Sequence, residues 1–338
     1  MEMQGSMPVI QYAKFGGDLE SGHAPVPSPG PGELLVKVQA ASLNPVDWKI
    51  QQGKYKTLNI PAQFPYIPCS DISGEVVSLG PGVTGFSVGD KVVSCLDHKR
   101  GGGLAKYASA EVRFTTRIPS QISPIEAAGL PIAGLTALYS LQEAAGIAIP
   151  SKDFQGTILV TAASGGVGTY AVQLAKLTGA HVVATCGSRN IDLIKSLGAD
   201  EVLDYKTPQG AKLQTSSCSK FDVIIHCAYH RPPWSTFEHV LTRKGIVVDI
   251  TPASESTTSS LKRKFDKAVK LITRQEAIGS LVPFYLTPHT SGIEALVDMM
   301  QKGKLKTIID SVHPISNVTA AWFKCTEGHA TGKIVVTL

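Results

Sequence analysis

No apolar run in this sequence reaches the roughly 18 residues that cross a bilayer, so a membrane-spanning helix is not expected. The N-terminus lacks the charged, apolar and small-residue regions of a secretory signal, and Met1 to Met7 does not read as a transit peptide. Cysteine is scarce: six residues, at 69, 95, 186, 218, 227 and 325, form no Cys-x-x-Cys pair and no framework spacing. That pattern argues against a disulfide scaffold and a structural zinc, and for reduced thiols in an intracellular compartment. There is no internal repeat or long low-complexity tract, and the net charge of +5 is modest. Nucleic acid is not an expected partner.

What is present is organised around Thr157 to Cys186. Thr157 to Thr161 is short and β-branched, as a buried parallel strand should be, and a Gly-rich turn ends it. Val167, Ala171, Leu174, Ala175 and Leu177 then recur at helical spacing, Gly179 lies where a C-cap is expected, and His181 to Thr185 returns as a strand. Ala163-Ser164-Gly165-Gly166-Val167-Gly168 fits the dinucleotide fingerprint G-x-G-x-x-G with alanine in its first position. In that reading Gly165 lets backbone approach a pyrophosphate, Gly168 lets the helix pack on the strand, and the helix N-terminus faces the phosphate charge.

The end of the second strand bears on the choice of cofactor. An Asp or Glu about twenty residues after the loop would bind the ribose 2′-hydroxyl of NAD. Here Cys186-Gly187-Ser188-Arg189-Asn190 offers donors and one fixed positive charge, so NADPH is the expected cofactor. The alternative is that Arg189 only opens the next helix as a solvated residue.

At 338 residues two domains are expected. Residues 1 to about 125 read as β-rich, with strand-like runs at Val9 to Tyr12, Glu33 to Ala40, Gly74 to Leu79 and Lys91 to Cys95. From Ser123 the pattern turns helical, and Glu201 to Asp204, Phe221 to His226 and Gly245 to Ile250 continue a doubly wound parallel sheet through residues 126 to 304. Thr307 to Val312 and Lys333 to Leu338 read as strands that rejoin the first domain, which would place a cleft between the two lobes. Lys262, Arg263, Lys264, Lys267, Lys270 and Arg274, with Leu261, Phe265, Ala268, Val269 and Ile272, suggest a basic amphipathic helix. It is either a solvated surface helix or a contact for an anionic membrane.

Several stretches in order resemble the zinc-independent quinone oxidoreductase branch of the medium-chain dehydrogenase/reductases. They are Ser42 to Lys49, Pro68 to Val76, Val88 to Val92, Leu130 to Ala137 and the Gly165-Gly166-Val167-Gly168 loop. Cys186 to Asn190, Ser196 to Tyr205 and Gly328 to Val335 look closest to the plant chloroplast envelope homologues. The resemblance implies an α/β fold: a Rossmann doubly wound parallel sheet plus a GroES-like irregular β domain. It also implies a location peripheral to the chloroplast inner envelope, with the cytoplasm as the alternative, and it leaves a homodimer open.

By the same comparison no metal is expected. Asn44 stands where zinc-dependent relatives place a catalytic Cys, Ser70 where they place a His, and Val46 where their proton relay begins with a hydroxyl. The implied activity is NADPH-dependent hydride transfer to the activated C=C of an α,β-unsaturated carbonyl or to a quinone. Asn44 and Lys49 are the candidates for polarising the carbonyl and Tyr55 an outside candidate for the acid. The plainer readings are that Asn44 caps a turn before Pro45, Lys49 pairs with Asp47, and Tyr55 lines a pocket. Thr136 is placed at the nicotinamide amide, Tyr205 near the 2′-phosphate, and His226 and Thr251 at strand ends facing the cofactor. His226 is either a proton donor or a satisfied histidine, and Lys333 either approaches the phosphate or lies on the surface. The alternatives to this reductase are a nucleotide-fold protein acting by binding a membrane surface or RNA, and a specialised reductase of an iminium or related acceptor.

Overall fold

The computed structural model describes residues 5–230, 232–250, 280–283 and 290–338. Thr251 and the basic stretch 261–274 lie outside the described residues. The chain divides into two compact units, Met1–Leu135 with Thr287–Leu338, and Thr136–Leu286.

The first unit is built on a mixed sheet. Its strands are β3 (Glu33–Leu43), β4 (Asp71–Leu79), β5 (Lys91–Cys95), β6 (Tyr107–Glu111), β7 (Thr115–Arg117), β14 (Ile309–Pro314) and β15 (Lys333–Thr337), while β1 (Ser6–Gln11) and β2 (Glu20–Pro25) pair separately. The order is β14-β15-β3-β4-β5-β7, with β6 also on β3. The last strand is therefore antiparallel to β3, with Ile334 opposite Leu43, and residues near 43 and 333 become neighbours. Leu34, Val36, Ile72, Val76, Val92 and Val336 fill the core beneath this sheet. Two helices start on local signals. Asn44 and Pro45 open α1 (Pro45–Gln51). Ser123 opens α2 (Pro124–Ala128), where its hydroxyl accepts from the Glu126 N–H and the Glu126 carboxylate accepts from the Ser123 N–H. That is a reciprocal capping box, and it satisfies two amides the helix itself cannot.

The described residues of the second unit form six parallel strands: β8 (Thr157–Thr161), β9 (His181–Cys186), β10 (Glu201–Asp204), β11 (Phe221–His226), β12 (Leu241–Asp249) and β13 (Ser280–Pro283). Their order is β10-β9-β8-β11-β12-β13, the doubly wound arrangement that reverses direction beside the first strand. Ile158, Leu159 and Val160 are fully buried, as expected for a strand covered on both faces. The α/β fold read from the sequence, a Rossmann sheet and a separate GroES-like β unit, is the fold observed. In chain order α3 (Pro131–Tyr139) leads toward this unit, α4 (Gly166–Lys176) follows β8 and α5 (Ile191–Ser196) follows β9.

Candidate active site

At the carboxyl edge of the parallel sheet, Ala163 to Gly168 forms the turn into α4. The Thr185 carbonyl accepts from the Ala163 N–H at 2.8 Å and the Thr185 hydroxyl from the Ala162 N–H at 3.2 Å, so the end of β9 holds the loop after β8. A Cβ on Gly168 would come within 2.5 Å of the Ala162 carbonyl oxygen and 2.6 Å of Ala163 Cα, which is why helix and turn can touch only there without a side chain. A Cβ on Gly165 would meet only the Ala162 carbonyl oxygen at 3.4 Å. The loop is thus closed toward the helix and open above Gly165, at a helix N-terminus whose first N–H groups have no intrahelical acceptor. This cradle fits a pyrophosphate.

The neighbouring strand ends add the rest of the second unit's candidates. Ser188 and Arg189 are exposed in a short turn after β9, whereas Asn190 is buried and donates its N–H to the Gly187 carbonyl. Tyr205, half exposed, follows β10 with its ring 3.7 Å from where a Gly187 Cβ would be, and Lys206 Nζ lies 6.0 Å from the ring centroid. The Asp204 carboxylate beside them accepts from the Lys206 N–H. Thr136 is buried, its carbonyl accepting from the Ser140 hydroxyl. His226 ends β11 opposite Thr161. Its Nε2 lies 3.1 Å from the His230 carbonyl and its Nδ1 2.9 Å from the Thr161 hydroxyl. A carbonyl only accepts, so Nε2 carries the proton and, in the neutral ring, Nδ1 accepts from Thr161. His226 is a satisfied histidine in this geometry.

In the first unit, the antiparallel pairing of β15 with β3 builds a buried polar cluster. Asn44 donates from Nδ2 to the Asp71 carboxylate at 2.8 Å and to the Ser42 carbonyl at 3.1 Å, and its Oδ1 accepts from Lys333 Nζ. The Lys333 ammonium also donates to the Leu43 carbonyl and lies 3.8 Å from Asp71 Oδ2. Two expectations are corrected here. Lys333 is neither on the surface nor free for a phosphate: at 3 % exposure it is the internal cation of this cluster. Asn44 has given both amide hydrogens to protein acceptors and has none left to polarise a substrate carbonyl.

Asp47, on the first turn of α1, accepts from the Asn44 N–H at 2.7 Å and is fully buried, so it is not a surface partner for Lys49. Burial, with Asp71's charge added, outweighs that hydrogen bond and the Lys333 ammonium, and the Asp47 carboxyl is pushed up to about 7. Burial likewise lifts Asp71 to about 6 against the pull of Lys333 and Asn44. The Cys69 and Cys95 thiols are raised well above their ordinary value by burial, and are held as thiols. Lys49 is half-buried beside Trp48, its Nζ 5.7 Å from the ring centroid, and burial lowers its pKa. Tyr55 packs partly against Tyr12, Ile50 and Tyr66.

One residue that the sequence does not single out is His98. Its Nδ1 lies 2.7 Å from the hydroxyl of fully buried Ser70. The signal for it is absent from the local sequence, because Ser70 and His98 are 28 residues apart and meet only across β4 and β5.

Against known proteins, residues 30–120 match the alcohol dehydrogenase GroES-like domain and residues 197–336 the family described as zinc-binding dehydrogenase. The chain is 50 % identical over 333 residues to the chloroplast envelope quinone oxidoreductase homolog of Arabidopsis thaliana, covering 98 % of each. This protein belongs to the quinone oxidoreductase branch of the medium-chain dehydrogenase/reductases. It is also 31 % identical to a trans-enoyl reductase of Aspergillus terreus, covering 91 % of this chain and 86 % of that one. The solved quinone oxidoreductase from Coxiella burnetii superposes with a TM-score of 0.83 at 26 % identity, over 99 % of this chain and 100 % of that one. As a quinone oxidoreductase-branch protein, the chain is an oxidoreductase that uses a nicotinamide cofactor, and the open cradle above Gly165 is consistent with that.

Proposed function

We propose that the protein is an NADPH-dependent, zinc-independent reductase of the activated C=C of α,β-unsaturated carbonyls or of quinones. The observation that carries this reading is the pair of features at the sheet edge: an open cradle at Gly165, and beside it Ser188, Arg189 and Tyr205 in place of an acid ending β9. A guanidinium and hydroxyl donors suit a 2′-phosphate dianion. Ser164 to Gly168 would hold the pyrophosphate, with Thr136 and His226 toward the nicotinamide. Reduced nicotinamide, when bound, supplies a hydride.

The polar cluster of the first unit supports independence from zinc. Where relatives place ligands, the Asn44 amide is bound to Asp71, Ser42 and Lys333, and the Ser70 hydroxyl to His98. A buried ammonium already supplies the positive charge, and the nearby thiols stay protonated. That donor set does not fit a tetrahedral zinc site. The remaining groups of the first unit do electrostatic and proton work: Lys49 on α1 favours negative charge on an acceptor oxygen, and Tyr55 is an acid. The trans-enoyl reductase relative favours a conjugated carbonyl as acceptor. The plastid relative favours location in the chloroplast, and peripheral contact with its inner envelope extends that reading. Among the described residues no helix is long and apolar enough to cross a membrane.

The test is NADPH consumption by purified protein with a panel of enones, quinones and iminium-like acceptors, with and without a strong chelator. Turnover of enones or quinones that survives chelation is expected. Turnover only with stoichiometric metal, or with none of these acceptors, overturns the reading.

A further inference from the structure

Away from the cofactor edge, the second unit carries a cleft of about 520 Å³ between the segment that leads into β11 and the helix that leads into β12. Its walls are the residues that follow α6 (Pro208–Ala211), and α7 (Trp234–Glu238) with the turn beyond it. We propose that this cleft is a binding site for a phosphate monoester of a small hydroxylated molecule, separate from the cofactor cradle. Lys212 supplies the charge, and Gln214, Ser219, Ser235 and His239 supply the other donors. The proposal does not depend on the reductase reading.

The chemistry of the walls starts in the chain. Between Asp204 and Asp222 there is no acid, and there are three lysines. Leu213 packs into the core with Phe221, Phe237 and Val240, on a backbone at φ +55°, and its neighbours Lys212 and Gln214 are left exposed on the cleft wall. On the wall built by α7, Phe237 is buried and Ser235 exposed, and exposed His239 follows. Among the described residues, the side chains of Lys212, Gln214, Ser219, Ser235 and His239 have no hydrogen-bond or ionic partner. None of the described residues lining the cleft is an Asp or Glu. The Glu201 carboxylate beside it accepts from the Thr215 hydroxyl and from the Ser216 and Ser217 N–H groups, so its lone pairs are taken up by the wall itself.

A concavity with a cation, several uncommitted donors and no acid selects a ligand that is negative and rich in acceptors. A phosphate monoester presents three terminal oxygens to such a set, one more than a carboxylate. Size decides the rest. The volume falls within the usual range of small-molecule sites, about 300–1,000 Å³, and a bare oxyanion would leave most of it to water. The Gln214 amide and the serine hydroxyls accept as well as donate, which matches hydroxyl groups on the body of the ligand, and Leu213 and Val240 give it an apolar floor.

The cleft lies toward the amino edge of the parallel sheet. Thr215 bonds to Glu201, the first residue of β10, and the neighbouring Ser217 hydroxyl lies 2.8 Å from Nε2 of His181, the first residue of β9. The Val240 carbonyl accepts from the N–H of Phe221, the first residue of β11, at 2.7 Å. The Gly165 cradle stands at the other end of the same strands, roughly 15–20 Å away for strands of five or six residues. A ligand in the cleft and a dinucleotide on the cradle can therefore be bound together.

The experiment is calorimetric titration of protein saturated with NADPH, so that the cradle is occupied, using glucose 6-phosphate, inorganic phosphate and glucose as probes. Glucose 6-phosphate is expected to bind, inorganic phosphate more weakly, and glucose not at all. Lys212→Gln should weaken glucose 6-phosphate by about tenfold or more, as loss of a charge-assisted hydrogen bond does, with Tm and NADPH affinity unchanged. Lys212→Arg should keep most of the affinity, and Gln214→Glu, which brings a carboxylate into the cleft, should lower it without touching the lysine. Lys195→Gln removes an exposed lysine that does not line the cleft and should change nothing. Absence of binding by wild type overturns the proposal and leaves an ordinary hydrated groove. Binding that NADPH abolishes overturns it in favour of the cradle, and equal losses in Lys195→Gln and Lys212→Gln overturn it in favour of unspecific charge. Inorganic phosphate binding as tightly as glucose 6-phosphate overturns the assignment of a monoester. If Lys212→Gln does not fold, Gln214→Glu decides.

Discussion

Lys333 Nζ lies 3.8 Å from Asp71 Oδ2, with the side chains 3 % and 0 % exposed, and this buried pair joins the last strand of the chain to the strand after the Asn44 loop. Removing one member of such a pair leaves an uncompensated charge in the interior. Lys333→Met should therefore destabilise the protein by about 3–5 kcal/mol in urea unfolding. The fraction that stays folded should bind NADPH with unchanged affinity, because the ammonium is spent inside the first unit. A selective loss of NADPH affinity over NADH would restore the phosphate role.

Asp47 adds a pH dependence to the same cluster. Its carboxyl is raised from the usual 3.8 to about 7 by burial, with Asp71, Lys333, Tyr12, Tyr66, Cys69, Cys95 and Cys325 among the titratable groups that feel its charge or act on it. The unfolded chain ionises Asp47 near 4 while the folded protein keeps it neutral, so the stability it contributes is present below about pH 4 and lost as pH rises to about 7. Asp47→Asn mimics the neutral acid and still accepts the Asn44 N–H. Its Tm relative to wild type should increase steadily from pH 4 to pH 7 and then level off. A difference independent of pH would show that Asp47 is ionised throughout.

The two glycines of the cradle should separate folding from binding. Gly168→Ala forces a Cβ against the backbone of Ala162 and Ala163, and is expected to lower stability by about 1–3 kcal/mol as an overpacked site does. Gly165→Ala has an ordinary extended backbone, φ −78°, and free space above it, so the protein should fold with unchanged Tm. Its methyl would stand where the pyrophosphate approaches, and NADPH affinity should fall by about tenfold or more, about 1.4 kcal/mol. Equal effects of the two substitutions on Tm would contradict the packing described for the helix.

Arg189, exposed beside Ser188 and Tyr205, is the test of cofactor choice. Arg189→Ala should weaken NADPH far more than NADH, since only the former offers a 2′-phosphate to a guanidinium. Parallel titrations of both nucleotides measure it, and an equal loss for the two would remove Arg189 from the phosphate site.

Much of the architecture was legible in the sequence because it is written locally. A β-branched run, a glycine turn and a 3.6-residue apolar period fix a strand, a loop and a helix from contacts within about twenty residues, and Gly165 and Gly168 stand where that local logic puts them. Ser123 and Glu126 likewise announce a helix start three residues apart. The polar site of the first unit is different in kind. Asn44 looked like a free donor, and Lys333 like a surface or phosphate lysine, because nothing near either residue in the chain indicates the other, 289 positions away. Only the pairing of β15 against β3 brings them within hydrogen-bond reach, and only the low dielectric of that interior makes their mutual satisfaction obligatory. The same holds for Ser70 and His98. Sequence determined which side chains carry chemistry; the tertiary structure decided which are consumed in holding the fold, since that depends on hydrogen-bond partners supplied from distant strands.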